Sequence, residues 1–573
     1  MRRVVKLGVA AAIAAGAIGG SAAAVSAHSD YRDHGHRGRQ ISHVLLISVD
    51  GLHQSDLAWY VSNNPDSELA KLTDGGLEFS NAHTVVPSDS DPGGTALMTG
   101  GDPRATGVYY DVEYNHDVYE AGTTSCHGQP TGGDVVYDSP DDIDDTRLDA
   151  GQGIPGLEQN PALIMQMTSQ PQTLLVPSTF PVDPRTCKPI YPNQYLKVNT
   201  IFNVAHDAGL LTAWSDKHPV YTSFDGPAGN GISDAFDPEI DSNAIEPNGT
   251  PYPGGGSWTD DNAATRQYDG YKVQAVLNWI NGLNHQGTQH VGTPAIFGMN
   301  FQTISTAEKL KQSEAVTGGP VLNGGYTSPG VPGPLLSSAL GWLDQQLAAF
   351  VNAIQGNPAT RGSTAIVITA KHGQSPLDPN QVKRIDDGPI ITAINTAWTA
   401  AHPGAGPLIV AGTDDDVWQS YLSVKTQQAA DFVKQYLWDH SAPAVTYSGS
   451  TITVPHSGLA QIYAGDGAAR YFGVPVSDPR HPDVFGRVQV GTIYTTGSKI
   501  AEHGGSNPGD RDVPILVYAP GAVRPGSSDR WVETTQVAPT ILSLLGLDPR
   551  ALGAVRIEGT AVLPGIGQRH DGS

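Results

Sequence analysis

The run Val44-Leu45-Leu46-Ile47-Ser48-Val49, ending abruptly at Asp50-Gly51, constrains this chain more than any other feature. A short apolar run rich in branched side chains has no polar face to offer water, so it reads as a strand buried on both sides. Strands of that kind belong to parallel sheets, which need helical crossovers, and the chain is therefore expected to be α/β. The Asp50 carboxylate then emerges at the C-terminal edge of the sheet, where open α/β folds bind their ligands.

Further on comes Pro87-Ser88-Asp89-Ser90-Asp91-Pro92-Gly93-Gly94, followed by Thr95-Ala96-Leu97-Met98. A Ser/Asp cap with proline near the first helical position predicts a helix start after Ser90. A hydroxyl there sits among free backbone N–H groups that favour an anion. The two segments together offer a carboxylate able to hold a metal and a hydroxyl where a phosphate would dock.

Periodicity extends this α/β pattern along the chain. A short helix is expected over Ser67–Asp74 and a second strand over Leu77–Val86, with a turn-rich exit at 102–111. A helix over Val198–Ala208 leads to a strand at Leu210–Trp214, which ends in Ser215-Asp216-Lys217-His218-Pro219. A helix over Ala264–Leu283 precedes a strand at Ala295–Phe301, and an amphipathic helix over Leu335–Ile354 precedes a buried strand at Thr364–Thr369. The chain closes with Glu502-His503-Gly504-Gly505, a strand at Val513–Tyr518 and a helix at Thr535–Leu545. The fold class expected is a mostly parallel central sheet with helices on both faces.

Residues 112–195 and 377–490 break the pattern and read as two long insertions forming a cap, the second with a helix near Thr426–Tyr436. The first carries the acidic run Asp141-Asp142-Ile143-Asp144-Asp145, a solvated loop or a calcium ligand set. It also holds both cysteines of the chain, Cys126 and Cys187, expected to pair as a disulfide in an exported protein.

Export is expected from the N-terminus. Arg2, Arg3 and Lys6 precede the small apolar stretch Leu7–Ile18, and Val25-Ser26-Ala27 fits a cleavage site, so residues 1–27 read as a signal peptide. Residues 28–40 read as a flexible tail and 41–565 as the catalytic domain. No later stretch has the length to span a membrane, so the mature form is expected to be secreted or extracytoplasmic. Removing 1–27 takes away three positive charges and moves the formal charge from −24 to −27. So acidic a surface argues against nucleic acid as a partner.

Four chemistry-bearing sites, Asp50, Ser90, Lys371-His372 and His503, fall at strand ends or loop starts. One parallel sheet can gather them. Carboxylate and imidazole are ligands for zinc and similar ions, and a bound ion would activate the Ser90 hydroxyl toward a phosphoryl group.

The order Val-Asp-Gly at 49–51, the Pro87–Gly93 loop, then Thr99-Gly100-Gly101 through Tyr109-Tyr110-Asp111, His372-Gly373-Gln374, and Glu502-His503-Gly504-Gly505 resembles the alkaline phosphatase superfamily. Within it, the type I phosphodiesterase / nucleotide pyrophosphatase branch is most similar. The resemblance implies an alkaline phosphatase-like fold and hydrolysis of a small phosphate ester or diester. It implies a Ser or Thr nucleophile bridging one or two divalent ions, zinc above all. Carried over, Ser90 is the nucleophile, with Ser88 as rival in the same loop, and Asp50, Ser90, His372 and His503 hold metal.

Three positions depart from the pattern. Lys371 stands where the family has Asp, and a protonated lysine is no ligand. Gln302 and Thr306 stand where the family has an Asp and a His four residues apart. Three arrangements are open: Lys371 replaces one ion's charge, leaving a single ion; Asp216 and His218 supply replacement ligands; or catalysis is weak. Asn300 and Gln302 would then be donors to substrate. The alternative function is an exported binding protein on the same scaffold, and a sulfatase or phosphonate hydrolase is a lesser one.

Overall fold

The computed structural model describes residues 41–566 apart from 254–255 and 414. The signal peptide and tail expected over 1–40 lie outside the described residues. The central sheet holds β1 (His43–Val49), β2 (Leu77–His83), β3 (Thr212–Ser215), β4 (Asp234–Ala235), β5 (Ile296–Phe301), β6 (Thr364–Thr369), β7 (Asp512–Tyr518), β8 (Gly526–Ser528) and β9 (Val532–Glu533). Their order is β8-β2-β7-β6-β1-β5-β3-β4, with β9 also on β2.

Strand β1 lies in the middle, parallel to β6 on one side and β5 on the other. Its side chains alternate between two cores. Leu45, Ile47 and Val49 enter the core that holds α4 (Asn262–Ile280) and α5 (Pro334–Gly356). Val44 and Leu46 enter the core that holds α2 (Ser90–Thr99), α3 (Ile201–Asp207) and α6 (Val537–Leu544). Both faces of the sheet are therefore covered, which is why β1 contains almost no polar residue. A helix not read from the sequence, α1 (Gln54–Asn63), follows β1 directly.

Register decides what meets at the sheet edge. Ser48 pairs with Thr369 of β6 on one side and Asn300 of β5 on the other. Two residues on, Asp50 therefore lies between the segments that carry Lys371-His372 and Gln302. Ser215 of β3 pairs with Met299, which brings Asp216 and Lys217 to the same edge. Strand β7 is antiparallel to both β6 and β2. It starts where its neighbours end, so the loop before it, containing His503, reaches the C-terminal edge although it precedes a strand.

The segment 112–195 holds a hairpin, Val112–Asn115 with Gly133–Val136, and several 3-10 turns. Cys126 and Cys187 form a disulfide within it. The segment from 377 onward forms two four-stranded sheets around their own apolar core, which includes Ile394, Trp398, Trp418, Val433 and Leu437. Its helices are Gly388–Ala401, unread in the sequence, and Gln427–Asp439. No helix among the described residues is long and apolar enough to cross a membrane.

Candidate active site

Glycines let the site segments approach one another. Gly51 has φ +84°, and a Cβ there would come within 2.9 Å of Glu308 Oε2 and 3.2 Å of the Ser305 Cα. At Gly93 an added Cβ would sit 2.1 Å from the Lys371 carbonyl oxygen. The Pro92-Gly93-Gly94 sequence thus lets the first turn of α2 lie directly on the end of β6. Asp89 caps α2, its Oδ2 accepting from the backbone N–H of Asp91 at 3.5 Å and of Asp111 at 2.9 Å. Ser90 is the first residue of the helix and is fully buried.

Around the Ser90 hydroxyl, His372 Nε2 lies 3.2 Å from Oγ and Lys217 Nζ donates to Oγ at 2.8 Å. Asp50 Oδ2 is 3.6 Å from His372 Nε2 and 3.8 Å from Lys217 Nζ. The same oxygen accepts from Asn300 Nδ2 at 3.1 Å and Gln302 Nε2 at 2.5 Å, while Asp50 Oδ1 is buried with no hydrogen-bond partner. Asp50, Ser90, His372, Asn300 and Gln302 are thus gathered in one place.

The other expected residues are placed differently. Lys371 Nζ bonds Asp216 Oδ1 at 2.7 Å and lies 4.1 Å over the Tyr221 ring, so both form a buried pair behind the serine. The His503 ring packs on His372 with centroids 4.1 Å apart, and its Nδ1 is 2.9 Å from Asp89 Oδ1. His218 turns to Glu239, Nδ1 to Oε1 at 2.7 Å, rather than to Ser90. Thr306 Oγ1 accepts from Asn262 Nδ2 at 2.8 Å. Ser88 Oγ donates to the Asp510 carbonyl and lies 2.6 Å from Thr84 Oγ1, which ties the loop down.

Sequence reasoning missed Lys217. Burial alone would strip its proton, but Asp50, Asp216, Asp89 and Asp91 outweigh that and raise its pKa, so it is an ammonium at neutral pH. Burial would likewise push Asp50 up, yet Lys371, His372 and Lys217 hold it well below the usual carboxylate range. Burial, Lys309 and His372 push His503 well below the usual imidazole value.

The family model described as type I phosphodiesterase / nucleotide pyrophosphatase matches residues 44–501. The chain belongs to that family. Among solved structures, the wild-type alkaline phosphatase PafA superposes with a TM-score of 0.58 at 14% identity, covering 92% of this chain and 99% of that one. Murine ectonucleotide pyrophosphatase / phosphodiesterase 5 gives a TM-score of 0.51 at 11% identity, covering 88% and 96%. No curated protein matches the chain by sequence. At these identities the structural likeness establishes an alkaline phosphatase-like fold.

Do this phosphodiesterase family member's residues fit the family's metals? For one ion they do. Asp50, Ser90 Oγ and His372 Nε2 converge within 3.6 Å along the contacts above, and Asp50 Oδ1 has a buried lone pair without a donor. For a second ion they do not: Gln302 points an amide N–H at Asp50, and Thr306 faces α4. Elsewhere, three trios place ligand atoms within 4.8 Å of one another: His53/Asp56/Glu308, His218/Glu239/Asp241 and Asp415/Glu502/His503. In the first, His53 Nδ1 bonds Asp56, Nε2 lies 2.8 Å from two backbone carbonyl oxygens, and Tyr326 bonds both acids. In the third, Glu502 is neutralised by Lys309 and Lys499.

Proposed function

We propose that this protein is an exported phosphoric ester hydrolase, of phosphodiesterase or nucleotide pyrophosphatase type, with Ser90 as nucleophile. The observation that carries the reading is the Ser90 hydroxyl at the start of α2, contacted by Lys217 Nζ at 2.8 Å and His372 Nε2 at 3.2 Å. The helix N-terminus favours the anionic phosphoryl group through its free N–H groups and its dipole. Lys217 donates to Oγ and stabilises negative charge there. Ser90 Oγ then bonds to phosphorus as the ester P–O bond breaks, its proton ending on the departing alcohol, and water cleaves the phosphoserine, its oxygen going to phosphorus and one of its protons to Oγ. Asn300 and Gln302 hold Asp50 by its Oδ2, fixing its other oxygen. A single divalent ion held by Asp50 and His372, zinc by its carboxylate and imidazole donors, would add Lewis-acid stabilisation of the serine oxygen. The Cys126–Cys187 disulfide supports an oxidising, extracytoplasmic location.

A chromogenic phosphodiester tests this. Wild type should turn over, and Ser90→Ala should lose about a thousandfold or more in kcat. Equal rates would remove the mechanism. A second reading, a binding protein on this scaffold, draws on Gln302, Thr306 and Lys371 at ligand positions. Phosphodiester binding to wild type without turnover, in zinc-replete protein, would favour it.

A further inference from the structure

The loop after β3 points two ways. Lys217 faces Ser90, whereas its neighbour His218 faces a second cluster built from three separate segments. His218 Nδ1 is 2.7 Å from Glu239 Oε1, and the ligand atoms of His218, Glu239 and Asp241 all lie within 4.8 Å of one another. Burial and the neighbouring Glu239 push the carboxyl of Asp142, from the acidic run of the first insertion, up to about 11, and burial pushes Glu239 up to about 8. Glu239 is fully buried and Asp142 is 5% exposed. Glu239 Oε2 and both Asp142 oxygens have no hydrogen-bond donor. The nearby Asp138 Oδ1 has none either.

Among the described residues no lysine or arginine forms an ion pair with Asp142, Glu239 or Asp241, and the side-chain contact of Glu239 is His218, whose imidazole is held below its ordinary pKa by burial. This separates the cluster from the other two trios, where Tyr326 or the lysines Lys309 and Lys499 already satisfy the acids. Two buried carboxyls facing each other without a donor are costly, and a bound cation removes that cost. One imidazole with two or three carboxylates suits a borderline first-row ion rather than an alkaline-earth ion, which prefers all-oxygen cages. Asp241 is exposed and gives the ion a path from solvent.

We propose that His218, Glu239 and Asp241, with the buried carboxyl of Asp142 beside Glu239, form a binding site for a divalent first-row metal ion, zinc or manganese, separate from the ion at Asp50. The site clamps the first insertion to the loops after β3 and β4. It thereby fixes the segment that delivers Lys217 to Ser90. The inference does not rest on catalysis, and its test needs no turnover.

The test compares wild type with Glu239→Gln, Asp241→Asn and Asp50→Asn. Each is stripped with chelator, titrated with Zn2+ or Mn2+, and followed by elemental analysis, Mn2+ electron paramagnetic resonance and thermal melting. Wild type and Asp50→Asn should bind an ion that Glu239→Gln and Asp241→Asn bind at least tenfold more weakly. Wild type should gain several degrees in Tm on adding the ion, and Glu239→Gln should gain none. Metal-free Glu239→Gln should melt at or above metal-free wild type, because it removes the facing carboxylates; this also shows that the variant folds. Equal metal affinity in wild type and both cluster variants, or no Tm response in wild type, would overturn the proposal.

Discussion

Two halves of the active site hold different chemistry. On the β1 and α2 side, Asp50, Ser90 and His372 are the residue types that the family resemblance implies for ligands and nucleophile, and His372 Nε2 lies 3.2 Å from Ser90 Oγ and 3.6 Å from Asp50 Oδ2. On the β5 side, and at position 371, Gln302, Thr306 and Lys371 stand where the resemblance implies carboxylate and imidazole. These side chains are not idle. Gln302 serves Asp50 as a donor, and Lys371 neutralises Asp216. Lys217 adds a protonated amine beside the serine. The comparison teaches that this scaffold keeps its buried charge balanced by placing ammonium groups and amides against its carboxylates.

The largest effect should come from breaking that balance at position 371. Asp216→Asn leaves the Lys371 ammonium buried without its partner, and should cost about 3–5 kcal/mol in chemical denaturation. Adding Lys371→Met should recover part of the loss. Full additivity of the two costs would mean that the pair is not coupled.

Next is the side that holds Ser90. Lys217→Met should lower kcat about 10²–10³-fold, the range for loss of one donor to a reacting oxygen, with KM much less affected. A pure KM effect would place Lys217 in substrate capture instead.

The comparison can also be reversed by design. Gln302→Asp with Thr306→His supplies the Asp/His pair that the family resemblance implies, with position 302 beside Asp50. Elemental analysis should then find one more equivalent of zinc than in wild type. An unchanged count would show that the two halves differ by more than ligand identity.

The smallest effect concerns the ion pair beneath Asp50. Burial would strip His53 of its proton, but Glu308 and the Asp56 hydrogen bond hold its pKa well above the ordinary imidazole value. Its folded pKa is raised, so its contribution is full below the unfolded value of about 6.5 and is lost as pH rises through the folded value. Each unit of upward shift is worth about 1.4 kcal/mol. The Tm deficit of His53→Gln should therefore be larger at pH 6 than at pH 9, and the reverse order would contradict a charged His53.

Much of this arrangement is legible in the sequence because it is local. The run Val44–Val49 can only be a doubly buried strand, and Asp89-Ser90-Asp91-Pro92 can only open a helix with a hydroxyl at its first turn. Other parts depend on contacts far along the chain. Lys217 lies between the two ligand candidates Asp216 and His218 and carries no signal of its own, and the pairing of β3 with β5 brings it to the sheet edge beside Ser90. The helix Gly388–Ala401, with Pro389 in its first turn, falls inside the segment expected as a long insertion. Helix α3 starts at Ile201 rather than Val198 because Thr200 and Asn203 form a capping box. The sheets of the second insertion pair strands far apart in sequence, which periodicity cannot show.

Mass spectrometry of protein quenched during phosphodiester turnover tests the central claim most directly. A phosphoryl adduct should appear on the peptide containing Ser90, and be absent from Ser90→Ala. An adduct on another residue, or undiminished turnover by Ser90→Ala, would contradict it.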